Sequence, residues 1–280
     1  MIILNIKGGL GNQIFQLAAA YTYLQKNGLK NIYIFNGNFN NYSSSRIFHL
    51  DKFLNKSPFN IKLLGLIWII PLNKYVLFFL SKIHLIILNE NNFHMKFNKS
   101  RIIDGYFQSI KFIEFQTLDL LKESIKCDQD VILKKLPSSL TKIILQPKTL
   151  GIHLRLGDRK HESTLSNFKN NFLRINLKQY DRIVFFSDDP NINIAIKDFI
   201  NTEIIFINDF GLNDYEEFLI CTVISNFFVS NSTFSVTARL LALNNVLTFY
   251  SGADFKKFGE DIPNLLDRSL NSINLDHNTI

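Results

Sequence analysis

The chain has 280 residues, of which 46% are hydrophobic and 20% charged, and it carries a formal net charge of +7. That mixture excludes a disordered chain and supports one large or two ordinary globular domains. The positive balance favours anionic partners (a nucleotide-sugar pyrophosphate, an acidic membrane surface or nucleic acid) without choosing among them.

From the N-terminus, Ile2–Ile6 reads as a strand, and the turn Gly8-Gly9-Leu10-Gly11 opens a helix from about Gly11 to Lys26. Ile14, Leu17, Ala18, Tyr21 and Leu24 fall on one face of it at helical spacing. Asn27-Gly28 is a stop, and Ile32–Phe35 reads as the next strand. This is the β-α-β opening of a parallel sheet. The sequence opens without a basic n-region, a long apolar h-region or a small-residue cleavage site, so a cytoplasmic location is expected. Cys127 and Cys221 are far apart and form no disulfide framework, which agrees with a reducing compartment.

Residues 61–88 are strongly apolar but are interrupted by Lys62, Pro71, Asn73, Lys74, Lys82 and His84. The uninterrupted runs fall short of the ~20 residues of a spanning helix, leaving burial in a core or docking on an anionic membrane surface. Residues 126–148 carry Lys and Pro clusters and read as a connection, with a domain boundary near residue 140. Beyond it, Leu150–Leu156, Arg182–Ser187, Glu203–Asn208, Phe227–Ser230 and Val246–Tyr250 are short strand-like runs. They alternate with helical stretches, of which Asp214–Ser225 and Thr233–Leu243 are best defined. Such alternation predicts a Rossmann-like domain whose ligands sit at the carboxyl ends of the strands.

The polar motifs lie at those ends. The Gly8–Gln13 turn allows close backbone approach and a helix N-terminus for an anion, but a tight structural turn explains it equally. In His153-Leu154-Arg155-Leu156-Gly157-Asp158-Arg159, His153, Arg155 and Gly157 alternate onto one face and Ile152, Leu154 and Leu156 onto the other. An arginine so placed suits pyrophosphate recognition through its planar fork, or an ion pair with Asp158. Phe186-Ser187-Asp188-Asp189 ends another strand with carboxylates that can meet a guanine edge or ribose, or shape a turn. Ser230–Ser235 joins a strand to a helix, with Ser232 or Thr233 as cap, phosphate ligand or both. Asp128-Gln129-Asp130 is the only Asp-x-Asp and lies in the polar connection, so no metal is assigned to it. The basic residues are scattered without a recognition-helix cluster, and nucleic acid is set aside as a partner.

Together these motifs resemble glycosyltransferase family 11, the α-1,2-fucosyltransferases. That family's GGLGNQ-F pattern stands at Gly8–Phe15, its HxRRGD motif at His153–Asp158, its FSDD motif at Phe186–Asp189 and its SNSxFS motif at Ser230–Ser235. The resemblance implies an α/β, GT-B-like fold of two Rossmann-like domains facing across a cleft: 1–140 on the acceptor side and 141–280 binding the donor. It implies inverting, metal-independent transfer of L-fucose from GDP-fucose, without a cofactor, to the 2-hydroxyl of a galactose-terminated glycan. Arg155 becomes the main pyrophosphate ligand, and Ser232 and Thr233 secondary ones. Asn12 would reach the fucose or β-phosphate, and Gly9 and Gly11 would line the donor's path. His153, Asp188, Ser230 and Phe234 become donor contacts, and Asp158 a candidate general base. The acceptor would be a lipid-linked precursor in cell-surface polysaccharide synthesis, such as an O-antigen. Two positions depart from the pattern: Leu156 stands for the second arginine, and Arg159 for an aromatic residue. By alternation Leu156 is expected in the core. Another fucosyl linkage, a protein hydroxyl as acceptor, and a GDP-sugar-binding protein without transfer are the alternative readings.

Overall fold

The architecture was analysed in a computed structural model that describes residues 2–35, 47–54, 57–64, 86–93, 101–156, 162–189, 192, 196, 200, 202–242, 246–252, 255 and 261–276. The chain divides into two units, Met1–Ile125 and Lys126–Ile280.

The first unit opens as its hydrophobic pattern dictates: β1 (Ile2–Asn5), α1 (Leu10–Lys26) and β2 (Asn31–Phe35). There follow α2 (Asp51–Leu54), β3 (Asn60–Leu64), β4 (Ile86–Leu88) and β5 (Arg101–Ile103), giving a parallel sheet of order β3-β2-β1-β5-β4. α1 is buried almost all round, so its polar residues must find partners inside. Gln16 closes a pair of bonds with the backbone of Lys7, accepting from its N–H at 3.0 Å and donating to its carbonyl at 2.9 Å. Gln13 donates to the carbonyls of Gly8 and Ile47 and accepts from His49 N–H. These bonds shape the glycine turn from within. Gly8 sits at φ +84°, and a Cβ there would lie 2.6 Å from Asn12 Nδ2, so no other residue fits without strain. At the far end, Asn27 Nδ2 donates to the Tyr23 carbonyl and Gly28 takes the left-handed conformation at φ +61°.

The division between the units falls inside α3 (Phe115–Lys135), which is followed by α4 (Ser138–Ile144). The stretch 126–148 is therefore largely helical rather than a loose connection. Its lysines cover the outer face of α3, while Ile132 and Gln129 are buried and Gln129 Nε2 donates to Thr222 Oγ1 at 2.6 Å. Asp128 and Asp130, two apart on this helix, point to different sides, and Asp128 accepts a bond from the Tyr215 hydroxyl. They are not arranged to share one ion. Residues 65–85 of the apolar stretch lie outside the described residues, among which no helix is long and apolar enough to cross a membrane.

The second unit continues with β6 (Thr149–Leu154), α5 (Glu162–Phe172), β7 (Arg182–Ser187), β8 (Glu203–Phe206) and α6 (Asp214–Val223). It ends with β9 (Asn226–Phe228), α7 (Thr233–Leu240), β10 (Leu247–Tyr250), α8 (Asp261–Ser269) and β11 (Asn271–Asn274). All six strands are parallel, in the order β11-β10-β9-β6-β7-β8. The first strand of the unit, β6, thus lies beside the fourth, β9, and chain order reverses between them. β6 is buried along its whole length. Gly151 in its middle lies so close to Phe227 that an added Cβ would stand 2.3 Å from the ring, which fixes how tightly β6 and β9 pack.

One charged residue holds the neighbourhood of β9 together. Arg239 on α7 is fully buried, with its guanidinium 5.2 Å over the Phe227 ring. It donates to Thr248 Oγ1 at 3.2 Å and to the carbonyls of Cys221 and Ile224 at 2.8 and 2.7 Å. Those carbonyls are the ones that the end of α6 leaves without helical partners. Burial lowers the guanidinium pKa from 12.5 to about 9, so it remains charged at neutral pH. Replacing Arg239 by Ala opens a cavity and strips the carbonyls of their donor. Stability should fall by about 3–5 kcal/mol, read as a lower urea midpoint in equilibrium unfolding.

Candidate functional site

The polar groups of the second unit gather where the strand order reverses. β6 ends at Leu154 and β9 at Phe228, so the segments that leave them carry His153–Leu156 and Ser230–Thr233 from adjacent carboxyl ends. His153 Nδ1 meets Ser230 Oγ at 3.2 Å, joining residues 77 apart in sequence. The imidazole also stacks on Phe234 of α7, centroids 5.2 Å apart and planes 25° from parallel. Phe234 in turn meets Phe218 of α6 edge to face at 5.6 Å. Packed in this way, His153 is only 7% exposed. Burial pulls its pKa down from 6.5 to about 4, against the opposing pull of Asp188 and with some help from Arg155. The ring is neutral at pH 7 and offers a hydrogen bond rather than a charge.

Arg155 follows on the same side of the strand. It is partly exposed, with Nε 3.9 Å from Asp188 Oδ2. The other carboxylate oxygen of Asp188 accepts the Leu156 backbone N–H at 2.7 Å. Asp188, at the end of β7, therefore anchors the chain leaving β6 and orients its arginine. The turn after it is set by Ser187, whose Oγ accepts Asp189 N–H at 3.2 Å and whose carbonyl accepts Asn208 Nδ2 at 2.8 Å. Leu156 points to the opposite side, buried with Leu150, Ile152, Leu154 and Phe168, as strand alternation requires. Gly157, Asp158 and Arg159 lie outside the described residues.

Ser232 holds the N-cap position of α7 in extended conformation, yet its hydroxyl makes no capping bond. It is 2% exposed, and Oγ has no hydrogen-bond partner among the described residues. The expectation that Ser232 caps the helix through its side chain is thus not met. A buried hydroxyl without a partner is costly. Here it stands at the positive end of a helix, beside N–H groups that have no helical acceptor. Thr233 is the first residue of α7. Such a helix start is a kind of place where anions are commonly bound.

The glycine-turn residues belong to the first unit. Gly9 is the residue before α1 and Gly11 is buried within it. Asn12 is partly exposed, and its Oδ1 accepts Gln108 Nε2 at 2.6 Å. The sequence reading overlooked what surrounds Asn12. Lys7, Asp104 and Tyr106 stand at the carboxyl ends of β1 and β5, where Asp104 Oδ1 accepts Lys7 Nζ at 3.0 Å and Asn5 Nδ2 at 2.9 Å. The signal was present as Arg101-Ile102-Ile103 followed by Asp104-Gly105-Tyr106, a strand running into a polar turn. A strand of three residues is too short to stand out. No group of three His, Cys, Asp or Glu side chains is gathered to hold a metal ion among the described residues.

No protein-family model matches the sequence, and no curated protein sequence does. Solved structures do. Fucosyltransferase NodZ from Bradyrhizobium superposes with a TM-score of 0.55 at 10% identity, over 86% of this chain and 93% of its own. NodZ α-1,6-fucosyltransferase soaked with GDP-fucose gives 0.53 at 10% identity, over 89% and 94%. A point mutant of Arabidopsis thaliana FUT1 in complex with GDP gives 0.54 at 12% identity, over 89% of this chain and 69% of that one. At such identities the likeness is one of fold: two Rossmann-like α/β units, the class called GT-B.

The buried histidine has a consequence for pH. Because its folded pKa lies below its unfolded one, the unfolded chain binds a proton between pH 6.5 and about 4 that the folded chain does not. The stability held by neutral His153 is complete above pH 6.5 and declines as pH falls through that range. Urea midpoints measured from pH 7 to 4 should drop, and His153→Gln should flatten the profile by about 3 kcal/mol.

Proposed function

We propose that the chain is an inverting fucosyltransferase that moves L-fucose from GDP-fucose to the 2-hydroxyl of a terminal galactose. One observation carries the reading: the buried Ser232 hydroxyl at the start of α7, which has no partner among the described residues, after the strand that lies next to the one Arg155 follows. That is the chemistry a departing diphosphate needs. The fold likeness supports the donor, since NodZ has been crystallised with GDP and soaked with GDP-fucose.

In this reaction the acceptor oxygen attacks the anomeric carbon from the face opposite the diphosphate. The bond between that carbon and the β-phosphate oxygen breaks, its electron pair leaves with GDP, and the acceptor proton passes to a base. Asp158 is our candidate for that base. Arg155 would take two diphosphate oxygens in its fork, held in direction by Asp188. Ser232, Thr233 and the N–H groups at the head of α7 would take the rest, so that charge developing on GDP meets fixed donors without a metal ion. Neutral His153 and Ser230 would hydrogen-bond the nucleotide without adding charge, with Phe234 beneath the imidazole. Asp188, half exposed, keeps a donor contact open beside its anchoring role. Asn12, with Gly9 and Gly11 allowing close approach, would contribute from the first unit to the fucose or the β-phosphate.

The 2-linkage and galactose rest on the four motifs. A fucosyltransferase of another linkage is the second reading, favoured by the NodZ likeness, since NodZ is an α-1,6 enzyme. We place the activity in cell-surface polysaccharide synthesis on a lipid-linked acceptor, with burial in a core and docking on an anionic membrane both left open for residues 61–88.

Incubating the protein with GDP-fucose and N-acetyllactosamine in EDTA, and reading the product linkage by NMR, tests these points together. An α-1,2-linked product is expected; a product of other linkage selects the second reading. Absence of both transfer and GDP binding overturns the proposal. Arg155→Ala should lower kcat/KM by about a hundred- to a thousandfold while leaving the unfolding midpoint unchanged.

A further inference from the structure

We infer that the first unit carries a preformed subsite for the acceptor saccharide, with Tyr106 as the platform for one sugar ring and Asp104 as the group that fixes a hydroxyl. This deepens the proposed transferase and rests on that reading for the identity of the reaction, though not for the sugar contact itself.

The segment from Asp104 to Gln108 leaves the carboxyl end of β5, next to the turn that leaves β1. Carboxyl ends of parallel strands are where an α/β sheet receives ligands. Three features hold this segment in one shape. Glu90, following β4, accepts both the Tyr106 and Phe107 backbone N–H groups through one oxygen, at 2.6 and 3.1 Å. Gly105 lies against the Glu90 carboxylate so closely that a Cβ would stand 2.7 Å from it. Phe107 adopts φ +52°, the only described non-glycine residue with positive φ, while its ring is locked between Phe93 and Phe112 at 5.0 and 5.4 Å. A bulky residue in that region carries about 1–3 kcal/mol of strain, which survives only where the surroundings over-determine it and which clusters at ligand sites.

What this strained turn presents is suited to a sugar. Tyr106 is 40% exposed, although rings of that size are usually mostly covered. Lys7 Nζ lies over one face of the ring, 5.1 Å from its centroid, and 3.0 Å from Asp104 Oδ1, so the cation links ring and carboxylate and a sugar would use the opposite face. Asp104 Oδ1 is occupied by Lys7 and Asn5, which leaves Oδ2 as an acceptor with no hydrogen bond among the described residues. A pyranose offers an apolar C–H face for an aromatic ring and hydroxyls at its rim that donate to carboxylates. A flat ring with a fixed acceptor and a fixed cation beside it matches that pattern. The Lys7 ammonium and the Asp104 carboxylate offset one another, so the group carries no net charge and suits a neutral ligand.

The test uses the full chain and two readouts. Saccharide binding is measured by saturation-transfer NMR, without donor, against galactose-, N-acetylglucosamine- and mannose-terminated oligosaccharides; GDP affinity is measured by calorimetry. Tyr106→Ala and Asp104→Asn should each weaken binding of the best saccharide tenfold or more, with GDP affinity within twofold of the parent. Tyr106→Phe, which keeps the platform, should stay within threefold for both. In transfer assays the same two variants should raise the acceptor KM and leave the KM for GDP-fucose unchanged. Saccharide binding within threefold of the parent in Tyr106→Ala overturns the subsite, as does a parent protein that binds none of the oligosaccharides. Saccharide binding that depends on Tyr106 in a protein with no GDP affinity upholds the subsite and overturns the fucosyl donor instead.

Discussion

The hydrogen bond between His153 and Ser230 crosses the one boundary in the second sheet where the chain changes direction of travel, and the site depends on it. Because β7 and β8 build outward on one side of β6 while β9, β10 and β11 build outward on the other, the connections after β6 and β9 diverge. Their divergence opens a crevice that neither segment could form alone. The bond spans that crevice at its base, and its geometry requires β6 and β9 to stand as close as their backbones permit. Gly151 is what permits it, since any side chain there would push Phe227 away.

Two arginines show how the same side chain takes opposite duties according to its surroundings. Arg239 is sealed inside and spends its donors on backbone carbonyls at the end of α6, on Thr248 and on the face of Phe227. All its hydrogen-bonding capacity is directed inward, to protein structure. Arg155, two residues past a fully buried histidine, keeps part of its surface in solvent and is held by a carboxylate that also anchors the neighbouring backbone. Its direction is set by that carboxylate. The neutral His153 adds no second positive charge beside Arg155.

Much of this could be read in the sequence, for reasons that differ by element. The opening β-α-β unit was legible because Ile2–Ile6 and the periodic apolar face of the first helix obey simple spacing. The strands of the second unit were legible because each is a dense apolar run that ends in polar residues, and those endings are the motifs. Burial of Leu156 followed from alternation alone. α3 was hidden because its exposed face is rich in lysine and a proline follows it, so a packed amphipathic helix looked like a linker. β11, Asn-Ser-Ile-Asn, has almost no strand signature; it pairs with β10, and bonds from the Ser251 hydroxyl to Asp276 and from the Gly252 N–H to Asn274 Oδ1 tie down its end. Arg239 could have been found: it is the only charged residue between Glu217 and Asp254, and an isolated charge in so long an apolar run needs an internal partner. The shape of the Asp104–Gln108 turn could not, although its position was marked, because the contacts that set it come from Glu90, Lys7 and Asn12, all distant in sequence.

The inward position of Leu156 limits what can be substituted there. Where the family it resembles carries a second arginine, this chain has committed the position to an apolar cluster that includes the strands on which the crevice is built. Grafting the guanidinium back would place an uncompensated charge among Leu150, Ile152 and Phe168, and the sheet would have to deform to let it out. The obvious consensus substitution is therefore closed. An added cation would have to enter from outside β6, on a scaffold that already faces the crevice.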